Sequence, residues 1–156
     1  MDTKKRTIIN NMPANAKYAR KLRCRWKAAG LCTMCGIKPA DHKGKLTCSD
    51  CAVRYAKYQR RLKKAALDGY GHKCFCCGEI RFEFLCFDHV KNDGAADRQR
   101  LGKRMTAGTF YRMIIRENFP KRYQPACHNC NMSLGFYGYC PHNPKHRRDT
   151  SKKVNT

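Results

Sequence analysis

The chain has 156 residues, 34 Lys/Arg against 11 Asp/Glu, a formal charge of +23 and twelve cysteines. That length allows one or two small domains with a limited core, and the charge points to polyanionic partners, bound through counterion release. No apolar stretch is long enough to span a bilayer, and no helical face is apolar enough to lie in a membrane surface.

Residues 1–13 are polar and read as a flexible basic tail. MDTKKRTIINNMPAN lacks the apolar core of a secretory signal, so the expected location is intracellular, in the cytoplasm. In such a chain, paired CxxC spacing reads as metal binding rather than as disulfides.

Residues 14–70 form the first expected module. Helix formers dominate from Ala14 to Ala29, with Tyr18, Leu22 and Trp26 on one stripe and Gly30 as the stop. The remaining surface carries Lys17, Arg20, Lys21, Arg23, Arg25 and Lys27, a face suited to phosphates. Cys32 and Cys35, then twelve residues, then Cys48 and Cys51 read as a small four-cysteine zinc finger. The intervening GIKPADHKGKLT is turn-rich. His42 lies in it, but four thiolates already fill a tetrahedral site. A second basic helix is expected from Ala52 to about Leu67, with Tyr55, Tyr58 or Gln59, and Leu62 on its packed side. Residues 1–73 carry a net +15 and residues 74–156 a net +8. The first half therefore reads as a DNA grip, with Gly69–Gly71 as the boundary.

Residues 71–142 hold the chemistry. Cys74 and Cys77, with Cys127 and Cys130, can close a second tetrahedral zinc site, which is structural because no coordination position stays open. Each tetrathiolate zinc site carries a net −2, so two of them bring +23 to +19. Between the cysteine pairs, RFEFLCFD (81–88) fits a buried strand with Phe82, Phe84 and Phe87 as core. Asn92-Asp93-Gly94 is a turn signal. A helix is expected over 109–118, then YQPAC as a returning strand, then a short helix that Gly135 and Gly138 end. Asp88 and Asn131 supply hard oxygen ligands suited to Mg²⁺ or Mn²⁺, and His89 supplies a base that can be neutral near pH 7. In a regular strand Asp88 and His89 point to opposite faces, so a shared site requires the strand to end or twist there, and it is expected to do so. His128 is expected to face solvent or DNA. His142 is open between a catalytic or phosphate-contacting role and packing of the Cys-Pro turn. Cys24, Cys76, Cys86 and Cys140 remain as small buried hydrophobes or idle thiols. Residues 143–156 read as a basic disordered tail.

The combination CxxC, FLCFDH, CHNCN and GYCPH over residues 74–142 resembles phage HNH endonucleases and the related phage recombination endonuclease that resolves branched DNA. The basic CxxC-x12-CxxC module in front resembles zinc fingers attached to such nucleases. The resemblance implies a small, zinc-stabilised α+β protein: an HNH ββα-metal (treble-clef-like) nuclease domain preceded by a helical four-cysteine zinc-finger module. It implies that Asp88 and Asn131 hold a divalent metal, that His89 is the general base, and that Cys74, Cys77, Cys127 and Cys130 bind zinc. The chain departs from the pattern in carrying Ser133-Leu134-Gly135 after the CN pair and Asp97-Arg98 after the DH turn. Asn92 and Asn118 both stand as the middle asparagine. The function expected is a DNA endonuclease acting on double-stranded DNA. The alternatives are branched-DNA resolution and a non-catalytic, zinc-stabilised nucleic-acid-binding protein, including a ribosome-associated one.

Overall fold

The computed structural model describes residues 16–102 and 105–147. Within them lie five helices and two small two-stranded sheets, an α+β arrangement. The chain divides into two compact units, Met1–Tyr58 and Gln59–Thr156. Their boundary falls inside a helix.

In the first unit, α1 runs Ala16–Ala28. Its end is a Schellman closure: Gly30 N–H donates to Lys27 C=O at 3.1 Å and Leu31 N–H to Trp26 C=O at 2.8 Å, with Gly30 left-handed at φ +67°. Leu22 and Trp26 are half-buried, whereas Tyr18, expected on the same stripe, is 55% exposed. The Trp26 ring occupies the place that a Cβ on Gly36 would take, so this close approach and a φ of +65° both require glycine. The loop that follows is held by an isolated Leu31–Pro39 bridge and by Thr33 N–H donating to Leu46 C=O at 2.9 Å. The second helix, α2 (Ser49–Gly69), starts where the Asp41 carboxylate accepts from Ser49 N–H at 2.8 Å. Asp50 in its first turn complements the positive helix end.

The second unit contains the C-terminal part of α2, then β1 (Leu85–His89), α3 (Gly94–Leu101), α4 (Ala107–Arg116), β2 (Tyr123–Cys127), α5 (His128–Tyr137), β3 (Tyr139–Cys140) and β4 (Asn143–Arg147). Strands β1 and β2 pair antiparallel, with Leu85 opposite Cys127, Phe87 opposite Pro125 and His89 opposite Tyr123. Pro125 is tolerated because a two-stranded sheet leaves an edge that needs no donor.

The strand expected over 81–88 begins only at Leu85. The preceding residues are held in a turn, where the Glu79 carboxylate accepts from Arg81 N–H at 2.8 Å and Phe84 N–H donates to Arg81 C=O at 3.0 Å. Phe84, expected in the core, is 45% exposed under the Arg81 guanidinium. The helix expected over 109–118 starts at Ala107, where the Thr106 hydroxyl caps Thr109 N–H. It stops because Asn118 and Phe119 are left-handed, at φ +53° and +58°. The Phe119 ring then fills the space that a Cβ on Gly69 would take. Residues 143–147, expected from composition to belong to a disordered tail, form β4 on β3, and the His146 ring stacks against Phe75 at 5.3 Å. The tails over residues 1–13 and 148–156 lie outside the described residues.

Two apolar clusters flank the β1–β2 pair. One joins Leu67, Leu85, Ala126 and Leu134 to the cysteines; the other joins Ala66, Met113, Ile114 and Tyr123.

Candidate functional site

Cys32 and Cys35 sit in the loop after α1, while Cys48 immediately precedes α2 and Cys51 occupies its first turn. Their four sulfurs lie within 4.8 Å of one another, with Cys35 and Cys48 at 3.9 Å. Two sulfurs bound to one tetrahedral zinc at about 2.3 Å stand about 3.8 Å apart, so the set fits the ion. Burial opposes the Cys32 thiolate, but backbone N–H groups of Cys48, Cys35 and Met34 bring its pKa down to about 6. The Arg54 guanidinium donates to Cys51 Sγ at 3.0 Å. His42 does not belong to the group.

Cys74, Cys77, Cys127 and Cys130 form a second such set, with Cys77 and Cys127 sulfurs 3.6 Å apart. The first two flank a turn closed by Gly78 N–H donating to Cys74 C=O at 3.1 Å. Cys127 ends β2 and is the N-cap of α5, its sulfur accepting from Cys130 N–H at 3.3 Å. Thus zinc spacing and helix capping are one feature. Burial opposes the Cys74 thiolate, yet backbone N–H groups of Cys77, Cys127 and Cys76 hold its pKa at about 7. Cys76 and Cys140, expected as small buried hydrophobes or idle thiols, have both sulfurs within 4.8 Å of Cys130 and of each other. His142 turns its Nδ1 to the same place, 3.2 Å from Cys130 Sγ. Cys24 is exposed. Cys86 is half-buried, and burial with the nearby Asp88 carboxylate pushes its thiol up to about 11, against a hydrogen bond from Asn131.

Strand β1 ends at His89, but its pairing is regular through that residue, with Asp88 opposite Gln124 and His89 opposite Tyr123. The two side chains accordingly meet different partners. Asp88 is buried, accepts from Gln124 Nε2 at 3.1 Å and borders the Cys86 thiol. Asn131, in the first turn of α5, borders the same thiol. His89 turns with Phe87 toward a different set of groups. Its Nε2 lies 3.1 Å from Asp97 Oδ2 and its ring meets Tyr123 edge-on at 5.1 Å. Among the described residues, neither Asp88 nor His89 belongs to a clustered set of metal-ligand side chains.

Asp97 is the residue that sequence reasoning missed. It is 8% exposed and accepts from the Tyr123 hydroxyl at 2.5 Å and from Arg100 Nη2 at 2.6 Å as well as facing His89. Burial alone would raise its pKa, but the hydrogen bonds from Tyr123, Arg100 and His89 hold it at about 2. An Asp97/Arg100 pair at i, i+3 is the one signal in the sequence, and helix α3, which carries both, shows only the turn signal at its start. Beside this cluster opens a cavity of roughly 300 Å³, lined by Phe87, His89, Arg98, Phe110 and Tyr111.

His128 is exposed at the start of α5. The basic side chains of α1 at 20, 21, 23, 25 and 27 are exposed, as are Lys57 and Arg61 of α2. Arg60 and Lys64 of α2 are drawn into pairs with Glu83 and Asp68. No described helix is long and apolar enough to cross a membrane. No family model matches the chain, and neither curated proteins nor solved structures give a match.

Proposed function

We propose that this protein is an HNH-type endonuclease that cleaves DNA phosphodiesters with Mg²⁺ or Mn²⁺. The observation that carries the reading is the order β1, β2, α5: Asp88 and His89 close the first strand, Asn131 lies in the first turn of the helix after the second, and the Cys74, Cys77, Cys127 and Cys130 set joins the turn that precedes β1 to the start of that helix. The buried Asp97 carboxylate strengthens it. As the Nε2–H tautomer His89 donates to Asp97, which leaves Nδ1, without a hydrogen bond to any described residue, as the proton acceptor. In this reading His89 takes a proton from water, and Asp97 stabilises the imidazolium that forms. Asp88 and Asn131 are the oxygen ligands for the divalent ion, which when bound supplies charge neutralisation at the phosphoryl oxygens. The exposed lysines and arginines of α1 and α2 hold the DNA backbone.

One observation favours a second reading, a non-catalytic zinc-stabilised nucleic-acid-binding protein. Regular pairing at the end of β1 gives Asp88 and His89 different partners. Incubation of supercoiled plasmid with the full chain and Mg²⁺ separates the two. The nuclease reading predicts conversion to nicked or linear DNA that EDTA abolishes. Retardation of the plasmid with no strand broken, in Mg²⁺ and in Mn²⁺ alike, contradicts it.

A further inference from the structure

Cys130 belongs to two sulfur clusters at once. Cys74, Cys77 and Cys127 form one group with it, Cys76 and Cys140 another, with the sulfurs of each group within 4.8 Å of one another. Three thiols do not complete a tetrahedron, and an imidazole nitrogen stands beside two of them: His142 Nδ1 is 3.2 Å from Cys130 Sγ and 3.8 Å from Cys140 Sγ. A nitrogen and a sulfur bound to one tetrahedral zinc, at about 2.0 and 2.3 Å, stand about 3.6 Å apart, a value these two distances bracket.

We infer that the second unit holds two zinc ions rather than one, bridged by the Cys130 thiolate. Cys74, Cys77 and Cys127 complete the first ion; Cys76, Cys140 and His142 complete the second. A thiolate has lone pairs enough to bind two cations. The two ions, each about 2.3 Å from the shared sulfur, then lie within about 4.6 Å of each other.

Two features support this assignment. Cys76 lies between the two members of a CxxC pair, so the turn that offers Cys74 and Cys77 to one ion offers Cys76 to the next. The charge also balances: two further thiolates and one further dication add nothing net, so the second ion enters without a new uncompensated charge. The consequence is structural. The second ion fastens the short β3–β4 hairpin, which carries Cys140 and His142, to α5 and to the Cys74–Gly78 turn. Apolar contact alone would hold a hairpin of two- and five-residue strands poorly.

The assignment predicts three zinc ions per chain, counting the Cys32 set. Native mass spectrometry of the full chain reads this directly: three ions are expected in wild type and in Cys24→Ser, and two in Cys140→Ser. The bridge is tested on the wild-type protein loaded with ¹¹³Cd, where NMR is expected to give three resonances, two of them split by a shared cadmium–cadmium coupling through Cys130. Two ions per wild-type chain, or three cadmium resonances without mutual splitting, would overturn the proposal. So would retention of three ions by Cys140→Ser.

Discussion

His89 is held in place by a residue eight positions along the chain and by one on the opposite strand. The buried Asp97 carboxylate, which also accepts from the buried Tyr123 hydroxyl and from the exposed Arg100 guanidinium, faces it, and those hydrogen bonds hold the carboxyl pKa at about 2. Replacing Asp97 by Asn removes charge from hydrogen bonds to Tyr123 and Arg100, and is expected to cost about 1–3 kcal/mol of unfolding free energy at pH 7. The sign of the pH dependence follows from the depressed pKa. The stabilisation is fully present above the ordinary carboxyl pKa of about 4 and is lost only as pH falls through about 2. With His89 replaced by Gln in both proteins, so that the imidazole facing the carboxylate does not titrate, the gap in denaturant unfolding between Asp97 and Asn at this position should therefore stay constant from pH 5 to 8; a gap that closes within that range contradicts the assignment. Asp88, His89 and Asn131 are singled out in the sequence because the Asp-His pair closes an apolar run and Asn131 directly follows a CxxC pair. Asp97 is not, because its importance comes from a tertiary approach that no local spacing records.

At the level of elements, the cysteine pairs announce where the chain turns, and caps and glycines explain why it turns there. Cys127 caps α5 with the sulfur that also joins the second cluster, so that helix start is readable. Helix α3 is not, since GAADRQRL has no amphipathic period and only the pairing of Asp97 with the cluster around His89 gives it a buried face. Strand β4 escapes for a similar reason: NPKHR has the composition of a tail and gains order from Tyr139 and Cys140 beside it. Two glycines in the first unit permit a controlled comparison. Gly30 and Gly36 are both left-handed, but a Cβ at Gly30 meets open space whereas one at Gly36 meets the Trp26 ring. Gly30→Ala should cost about 1 kcal/mol from backbone strain. Gly36→Ala should cost clearly more and shift the emission of Trp26, the sole tryptophan of the chain. Equal losses in the two variants would show that the ring does not pack as described.

For the whole molecule the governing quantity is charge. With zinc in the four-cysteine sets the charge of +23 becomes +19, and the nuclease reading then predicts DNA binding chiefly through phosphates. With six to ten such contacts, affinity is expected to fall by ~10³–10⁵ between 50 and 200 mM salt, measured by fluorescence anisotropy on a short duplex. A shallow salt slope would place recognition elsewhere. Composition and spacing make the α+β class and both four-cysteine sets legible. They do not make legible the shared use of Cys130 or the separation of Asp88 from His89, since both depend on which face of a strand or helix a side chain takes. The most direct measurement of the central claim is single-turnover cleavage of end-labelled duplex DNA in Mg²⁺ by wild type and His89→Ala. The nuclease reading predicts a ~10²–10⁴-fold slower cut in the variant with DNA affinity unchanged; cleavage at the wild-type rate by His89→Ala would contradict it.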